Sequence, residues 1–596
     1  MNSKLGKVAR GTPSGQRRTP HGTVLALSGL LAFGCNAGVL TANDPESAGD
    51  PSNQGGAGNL SGTGGAGGTG GSTSGVGGSN TGGAVEVPPL ANPDFLPTRI
   101  RRLSNTEYSN SVAELLGEDF DVAEGFAPDA RQGGFTVNDA QRVDPVLAKQ
   151  LYAVSDTVSE AIQGRLTELA PCDTPNDELA CAAAFIERFA GQAYRRPLND
   201  EERTGLLAVY EVGAADEGYA AGIALVIRTV LQSAGFLYVT ELGNGVAADD
   251  GTVTLGPYEL ASALSYLATG AAPDAALLAD AEAGLLNTPE GRVAALQRMA
   301  GTPENLDRMV QLVREWLELD QIESTAKDTN IYPAYPGLQA VIAAESYAFV
   351  RAVLDPANGY ADHVTTLLSA DWTVGDQNLA QLYTNATDLG DGRLSLPARR
   401  GVLNQGAFLA VQAHAHESTP VLRGVVITRR LLCMNIPAPN SLNIDVVPPV
   451  PDPTQTTRQR FEVHTTDDAC ASCHKVIDGF GNAFEQFDGM GQHRTTENNL
   501  PVDPTTTVTI STALDGYYEN SNTLAEALAT DPGVRECFAR QVFRSVMGRS
   551  DAQAADAEEV FITAYRSLPM VSQGNLFTLL ETVVANPLFA QRSVYE

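Results

Sequence analysis

Apolar residues recur three and four positions apart along most of the chain beyond residue 100, and polar capping residues mark where these runs begin. Tyr108, Val112, Leu115 and Leu116 share one helical face behind Ser104-Asn105-Thr106-Glu107, which has the form of a capping box. Asn199 with Glu202 repeats the device after Arg195-Arg196-Pro197, where proline closes one helix before the next begins. Helical spacing also runs through 258–267, 306–319 and 405–412. Strand-like text is scarce, and the strongest is 505–512, rich in Thr, Val and Ile. A Pro-rich run at 436–453 reads as an extended connection. The pattern predicts a mainly α protein made of serial helical domains, with breaks near residues 245, 390 and 497. Past the N-terminal region, no segment reads as long and apolar enough to cross a membrane.

One helical stretch carries chemistry. Cys470-Ala471-Ser472-Cys473-His474 is a C-x-x-C-H sequence, the spacing of covalent c-type haem attachment. On a helix the two thiols lie about one turn apart on one face, where each can add to a porphyrin vinyl group. His474 follows directly and can serve as the proximal iron ligand. Three other readings compete. A zinc site needs about four ligands, and no second Cys/His pair follows at short spacing. A thioredoxin-like redox pair calls for a βαβ context that is missing. A plain Cys470–Cys473 disulfide leaves His474 without a role. The motif therefore predicts one covalent haem c.

Haem attachment of this kind requires export, and the N-terminus tests that independently. Residues 1–23 carry Lys4, Lys7, Arg10, Arg17 and Arg18 and no acid, followed by a short apolar run from Val24 to Phe33 and then Gly34-Cys35. This has the form of a lipoprotein signal peptide over 1–34 with Cys35 as the lipid attachment site, against ordinary signal cleavage nearby. The text after Arg17-Arg18 does not fit a twin-arginine signal. Residues 35–92, dominated by Gly, Ser, Thr and Asn, read as a flexible tether that would hold the folded part on the order of 40 Å from the lipid. The expected location is the bacterial cell envelope, at the outer membrane facing the periplasm or the cell surface. A net charge of −32 argues against nucleic acid and suits a basic redox partner, although solubility accounts for it as well. Of the 7 cysteines, Cys172, Cys181, Cys433 and Cys537 remain after Cys35 and the motif pair. In an oxidising compartment they predict two disulfides, Cys172 with Cys181 and Cys433 with Cys537.

A series of short phrases resembles the multidomain exported cytochrome-c-like proteins first recognised in planctomycetes, built from serial domains of unknown function. The phrases are Arg102-Leu103-Ser104-Asn105-Thr106-Glu107-Tyr108, Ala193-Tyr194-Arg195-Arg196-Pro197-Leu198, Phe236-Leu237-Tyr238 and Tyr258-Glu259-Leu260-Ala261. Ser418-Thr419-Pro420-Val421-Leu422-Arg423-Gly424, then Cys470 through Ile477-Asp478, Phe484-Glu485, Phe487-Asp488 and Met547-Gly548-Arg549, continue the series in the family's order. The chain departs from the pattern at Ala234, Ala263 and Leu267-Ala268-Thr269. The resemblance implies a c-type haem and export, and it names a class rather than a reaction. The domain layout expected is helical over 93–245 and 246–390, cytochrome-c-like and haem-bearing over 391–497, and helical again over 498–596.

The second axial ligand separates electron transfer from catalysis, since ligands on both faces favour the former and an open face permits the latter. Met490 and Met547 are the methionine candidates kept; Met434, His414, His416, His464 and His493 are the others. His414 and His416, placed on a helix continuing from 405–412, would point apart and could not share an ion, whereas on a strand they could. Arg423, Arg429, Arg430 and Arg494 could pair with haem propionates or form surface salt bridges. Electron transfer is the leading expectation. A haem-linked oxidoreductase or peroxidase-like enzyme, and an envelope binding or structural module, are the alternatives.

Overall fold

Capping residues set the helix boundaries. The computed structural model describes residues 90–595 apart from 121, 173–176, 438–448, 467 and 550. The signal segment, Cys35 and nearly all of the tether lie outside the described residues, as does much of the Pro-rich connection. Ser104 Oγ accepts from the Glu107 amide at 3.2 Å while Glu107 Oε2 accepts from the Ser104 amide at 2.9 Å, which opens the helix Asn105–Leu116. The Asn199–Glu202 box opens Asp200–Glu217 in the same way, at 2.8 and 3.0 Å. Glu107 is buried, which opposes its charge, but Arg101 grips both carboxylate oxygens and holds its pKa below the ordinary value.

The protein is mainly α, and Pro88–Glu596 form one compact unit. Two apolar cores fill it. The first gathers Tyr108, Val112, Leu116, Phe185, Phe189, Ile223 and Ile227; the second takes Leu96 and Phe135 together with residues from Leu255 to Ala590, including Trp316, Phe349, Phe408, Phe484 and Phe538. Tyr266 belongs to the first, with the Arg101 and Arg195 guanidinium groups 5.5 and 5.8 Å from its ring centre. Strands are short. Thr506–Val508 pairs antiparallel with Gly516–Tyr518, so the strand expected at 505–512 forms over its first half.

The two ends of the described chain meet in a clasp. Arg99–Arg102 pairs antiparallel with Tyr238–Glu241, and Gln591–Ser593 with Thr252–Thr254. Glu241 accepts from Arg99 at 2.6 Å and from Arg592 at 2.7 Å, while Asp139 takes Arg99 on one oxygen and Arg549 on the other.

Tyr335–Leu354 corrects one expectation. It is twenty residues long and meets the length and composition of a membrane span. Its Leu338, Ile342, Phe349 and Val353 are buried in the second core, and Glu345 bonds Tyr383 and Thr373 there at 2.7 and 2.8 Å. Core helices share that composition because they too are apolar on more than one side.

Candidate functional site

The C-x-x-C-H sequence lies on the helix Asp468–Gly481, with Cys470, Cys473 and His474 spaced to fall within one arc of its surface. Ile477, Asp478 and Phe480 are buried, whereas Ser472 and Lys475 are exposed and Cys470, Cys473 and His474 sit between these extremes. Neither Cys470 nor Cys473 takes part in a disulfide. The other four described cysteines do: Cys172 is bonded to Cys181 and Cys433 to Cys537.

His474 Nδ1 lies 3.3 Å from an oxygen of Asp478, one helical turn on. That contact orients the ring through Nδ1. The His464 ring, from the short helix Val463–Thr466, stands 4.5 Å from the His474 ring, and Phe461 meets His464 edge-on at 5.4 Å. Two imidazoles on opposite faces of one iron would have centres about 6 Å apart, given metal–nitrogen bonds of about 2 Å. His464 as placed is thus a neighbour of His474, not its partner across a metal.

The helix is held by close approach to Pro420–Val426. A Cβ on Gly424 would come within 2.0 Å of the Ile477 carbonyl oxygen, and one on Gly481 within 1.8 Å of that of Pro420. Glycine at both crossings lets the backbones touch. Beyond the helix, 484–488 wraps around Arg423, which is fully buried and donates to the carbonyls of Phe484, Phe487, Asp488 and Leu409 at 3.0, 3.1, 2.8 and 3.2 Å. Burial pushes the Arg423 pKa down to about 10, against support from Glu485. Arg494 bridges Glu485 and Glu497 at 3.0 and 2.9 Å. Arg423 is therefore an internal strut rather than a surface salt bridge, and Arg494 is a part-buried one tied to two carboxylates. Arg429 donates to the Ile436 carbonyl and Arg430 to Glu318.

The ligand candidates scatter. Met490 and Met547 are both core residues, Met490 in a turn whose amide bonds Asp488 and Met547 at the end of Pro532–Met547. His493 meets Phe487 edge-on, and burial lowers its pKa. Met434 is half-buried beside a cavity described below. His414 and His416 depart from expectation. The helix ends at Val411, an Ala413–Ser418 bridge folds the segment back, and the two rings lie nearly parallel, 6.0 Å apart. Lys327 causes this by donating to the carbonyls of Ala413 and His414, both at 2.9 Å. Among the described residues, no group of three or more His, Cys, Asp or Glu is arranged to hold a metal ion.

Asp478 is the candidate-site residue to which motif reading gave no role, although its spacing of four from His474 is a usable signal. Two thiols outside the disulfides and an imidazole fixed through Nδ1 form the donor set that a porphyrin attached through two thioethers requires.

Four family profiles match the chain in series. They are PSD3, a protein of unknown function (DUF1587), at 101–163, and PSD5 (DUF1595) at 181–241, followed by PSD4 (DUF1592) at 255–384 and PSCyt3 (DUF1588) at 399–497. The last of these contains the C-x-x-C-H helix. No curated protein and no solved structure matches the chain. With these four domains in order and cytochrome-c-like text in the fourth, the chain belongs to the multidomain planctomycete-type cytochrome-c-like proteins built from serial domains of unknown function.

Proposed function

We propose that the protein is a c-type haem protein of the cell envelope that passes electrons, carrying one haem on Cys470 and Cys473 with His474 as proximal ligand. The observation that carries this reading is the face of Asp468–Gly481, where two half-buried thiols lie beside an imidazole already oriented by Asp478. A haem held this way supplies a one-electron couple whose potential the protein tunes through the axial ligand and its hydrogen bonds. Each thiol would add across a haem vinyl group to give a thioether, His474 would offer Nε2 to the iron, and the Asp478 carboxylate would accept from Nδ1, making the imidazole a stronger donor. The Arg423 cage and the two glycine crossings keep that helix in place.

Export fits the rest of the chain. The basic and apolar N-terminal text with Gly34-Cys35 supports lipid attachment at Cys35, and two disulfides suit an oxidising compartment. The acidic surface would receive a basic redox partner.

A second reading, an open iron face with peroxidase-like chemistry, has its own observation: Met490 and Met547 are packed in the core. Carbon monoxide added to the reduced protein decides between the two. An unchanged spectrum supports two protein ligands and electron transfer, and a shifted one supports the open face. The haem itself is tested by staining the purified mature protein after denaturing electrophoresis. Absence of a covalent signal, from a host with working cytochrome maturation, would rule the proposal out.

A further inference from the structure

The helix Pro420–Val426, which meets the C-x-x-C-H helix at Gly424, runs on into a single π turn over Ile427–Leu431, a distortion found often at functional sites. The Leu432 amide reaches back five residues to the Ile427 carbonyl at 3.2 Å, and the Met434 amide six residues to that of Thr428 at 2.9 Å. The turn packs against both Asp468–Gly481 and Pro532–Met547. Cys433, two residues beyond it, has a φ of 49°, in the left-handed region that is unfavourable for a residue with a side chain. Such a conformation persists only where the surroundings enforce it.

Contacts from far along the chain hold this turn. Trp316 Nε1 donates to the Arg430 carbonyl at 2.7 Å, Gln541 Nε2 to that of Arg429 at 3.4 Å, and the Arg430 side chain pairs with Glu318. One hold is covalent. Cys433 is bonded to Cys537 on Pro532–Met547, closing a loop with a sequence separation of 104 that contains the whole C-x-x-C-H helix. A disulfide that closes so long a loop contributes more than a hydrogen bond does. The two sulfurs are unequally placed. Cys537 is only 2 % exposed, whereas Cys433 is half-buried and lines a cavity of about 470 Å³ together with Leu422, Val425 and Met434. Each sulfur also has a polar neighbour suited to the opened bond. Cys537 Sγ lies 3.3 Å from the Arg430 carbonyl oxygen, to which a thiol can donate, and Gln541 Nε2 lies 3.7 Å from Cys433 Sγ.

We propose that Cys433–Cys537 is a thiol-exchange site that sets how tightly the C-x-x-C-H helix is held, and that its reductant is a small dithiol. One thiolate of the reductant attacks Cys433 Sγ, the S–S bond breaks, and Cys537 leaves as a thiolate that takes up a proton. The second thiol of the reductant, as its thiolate, then attacks the mixed disulfide and releases Cys433, which takes up the other proton. The reductant departs as a disulfide, and the protein has gained two electrons and two protons. With the bond open, the π turn keeps only its non-covalent contacts, and the helix packed on it loosens. The site is independent of the haem proposal, because the loosening is a property of the polypeptide.

Hydrogen exchange of the full mature chain before and after dithiothreitol tests this, with alkylation and mass measurement on parallel aliquots. The expected result is alkylation of Cys433 and Cys537 without unfolding, together with exchange about tenfold faster or more in Asp468–Gly481 and in 420–431, a factor well within what one disulfide contributes. Exchange in the clasp strands should stay unchanged, and reoxidation should restore the original rates. Ascorbate, which reduces haem iron but not a disulfide, should leave all rates as they were. A Cys172→Ser/Cys181→Ser variant should respond to dithiothreitol as the parent does, which assigns the effect to Cys433–Cys537. Resistance of Cys433 and Cys537 to alkylation until the chain unfolds, unchanged exchange in Asp468–Gly481 once they are reduced, equal acceleration in the clasp, the same acceleration with ascorbate, or no response in the variant would each overturn the proposal. Haem content is read on the same samples, so either proposal can fail alone.

Discussion

The clasp at the chain ends and the C-x-x-C-H helix treat their polar groups in opposite ways. In the clasp, Glu241 and Arg592 are buried and bonded to each other, and Arg99 reaches both Glu241 and Asp139. On the helix, two thiols outside the disulfides and an imidazole with a single carboxylate contact remain part-exposed. Burial with ionic pairing fixes a fold, because removing a shared carboxylate strands a charge. Partial exposure with one orienting contact leaves a group able to react. The two regions therefore predict different consequences for equally small changes.

The largest effect is expected from Glu241→Ala. It leaves Arg99 and Arg592 buried with their shared carboxylate gone and should cost about 3–5 kcal/mol in urea unfolding. A loss under about 1 kcal/mol would mean that the clasp is not a stability element. Its pH dependence has a definite sign. Burial raises the Glu241 pKa, but Arg592 and Arg99 outweigh it and leave the folded value far below the ordinary 4.5. The contribution of Glu241 is thus complete above the ordinary value and is lost progressively as the pH falls from there towards the depressed folded value. In Glu241→Ala the acid limb of the stability profile should flatten.

Gly424→Ala comes next. The added methyl meets the Ile477 carbonyl, so Pro420–Val426 and Asp468–Gly481 must separate, at a cost of about 1–3 kcal/mol as for other overpacked sites. Differential hydrogen exchange should place the loosening in those two helices and leave the clasp unchanged. Loosening at the clasp instead would show that the regions are coupled.

Cys473→Ala should change the unfolding free energy of the haem-free chain by less than about 1 kcal/mol, as expected for a part-exposed side chain. It should nonetheless abolish full attachment of haem, measured by in-gel staining. A loss as large as that of Glu241→Ala would end the contrast between the two regions. The smallest structural effect belongs to Asp478→Asn. The variant should keep its haem and fold but show a higher reduction potential by spectroelectrochemistry, because a less basic imidazole supports the oxidised iron less. An unchanged potential would remove Asp478 from the proposed site.

Much of this was legible from local text. Capping boxes at Ser104 and Asn199, helical periodicity and the cysteine count gave helices, boundaries and both disulfides, because each depends on residues close in sequence or on the compartment. What was not legible depends on distant partners. His414 and His416 leave the helix because Lys327, 86 and 87 residues away, holds the carbonyls at 413 and 414. Arg423 looked available for an anion, but its partners are carbonyls that only the folded 484–488 segment supplies. Glu241 finds Arg592 across 351 residues, and nothing near either residue announces the pairing. Tyr335–Leu354 has the length and composition of a membrane span, and only its packing among distant residues of the second core marks it as a core helix.

The most direct test of the central claim is the intact mass of the mature protein expressed with c-type maturation, together with its reduced spectrum. The account predicts a mass increased by one haem, with Cys470 and Cys473 resistant to alkylation after unfolding. An unmodified polypeptide mass, with both thiols open to alkylation under the same conditions, would contradict it.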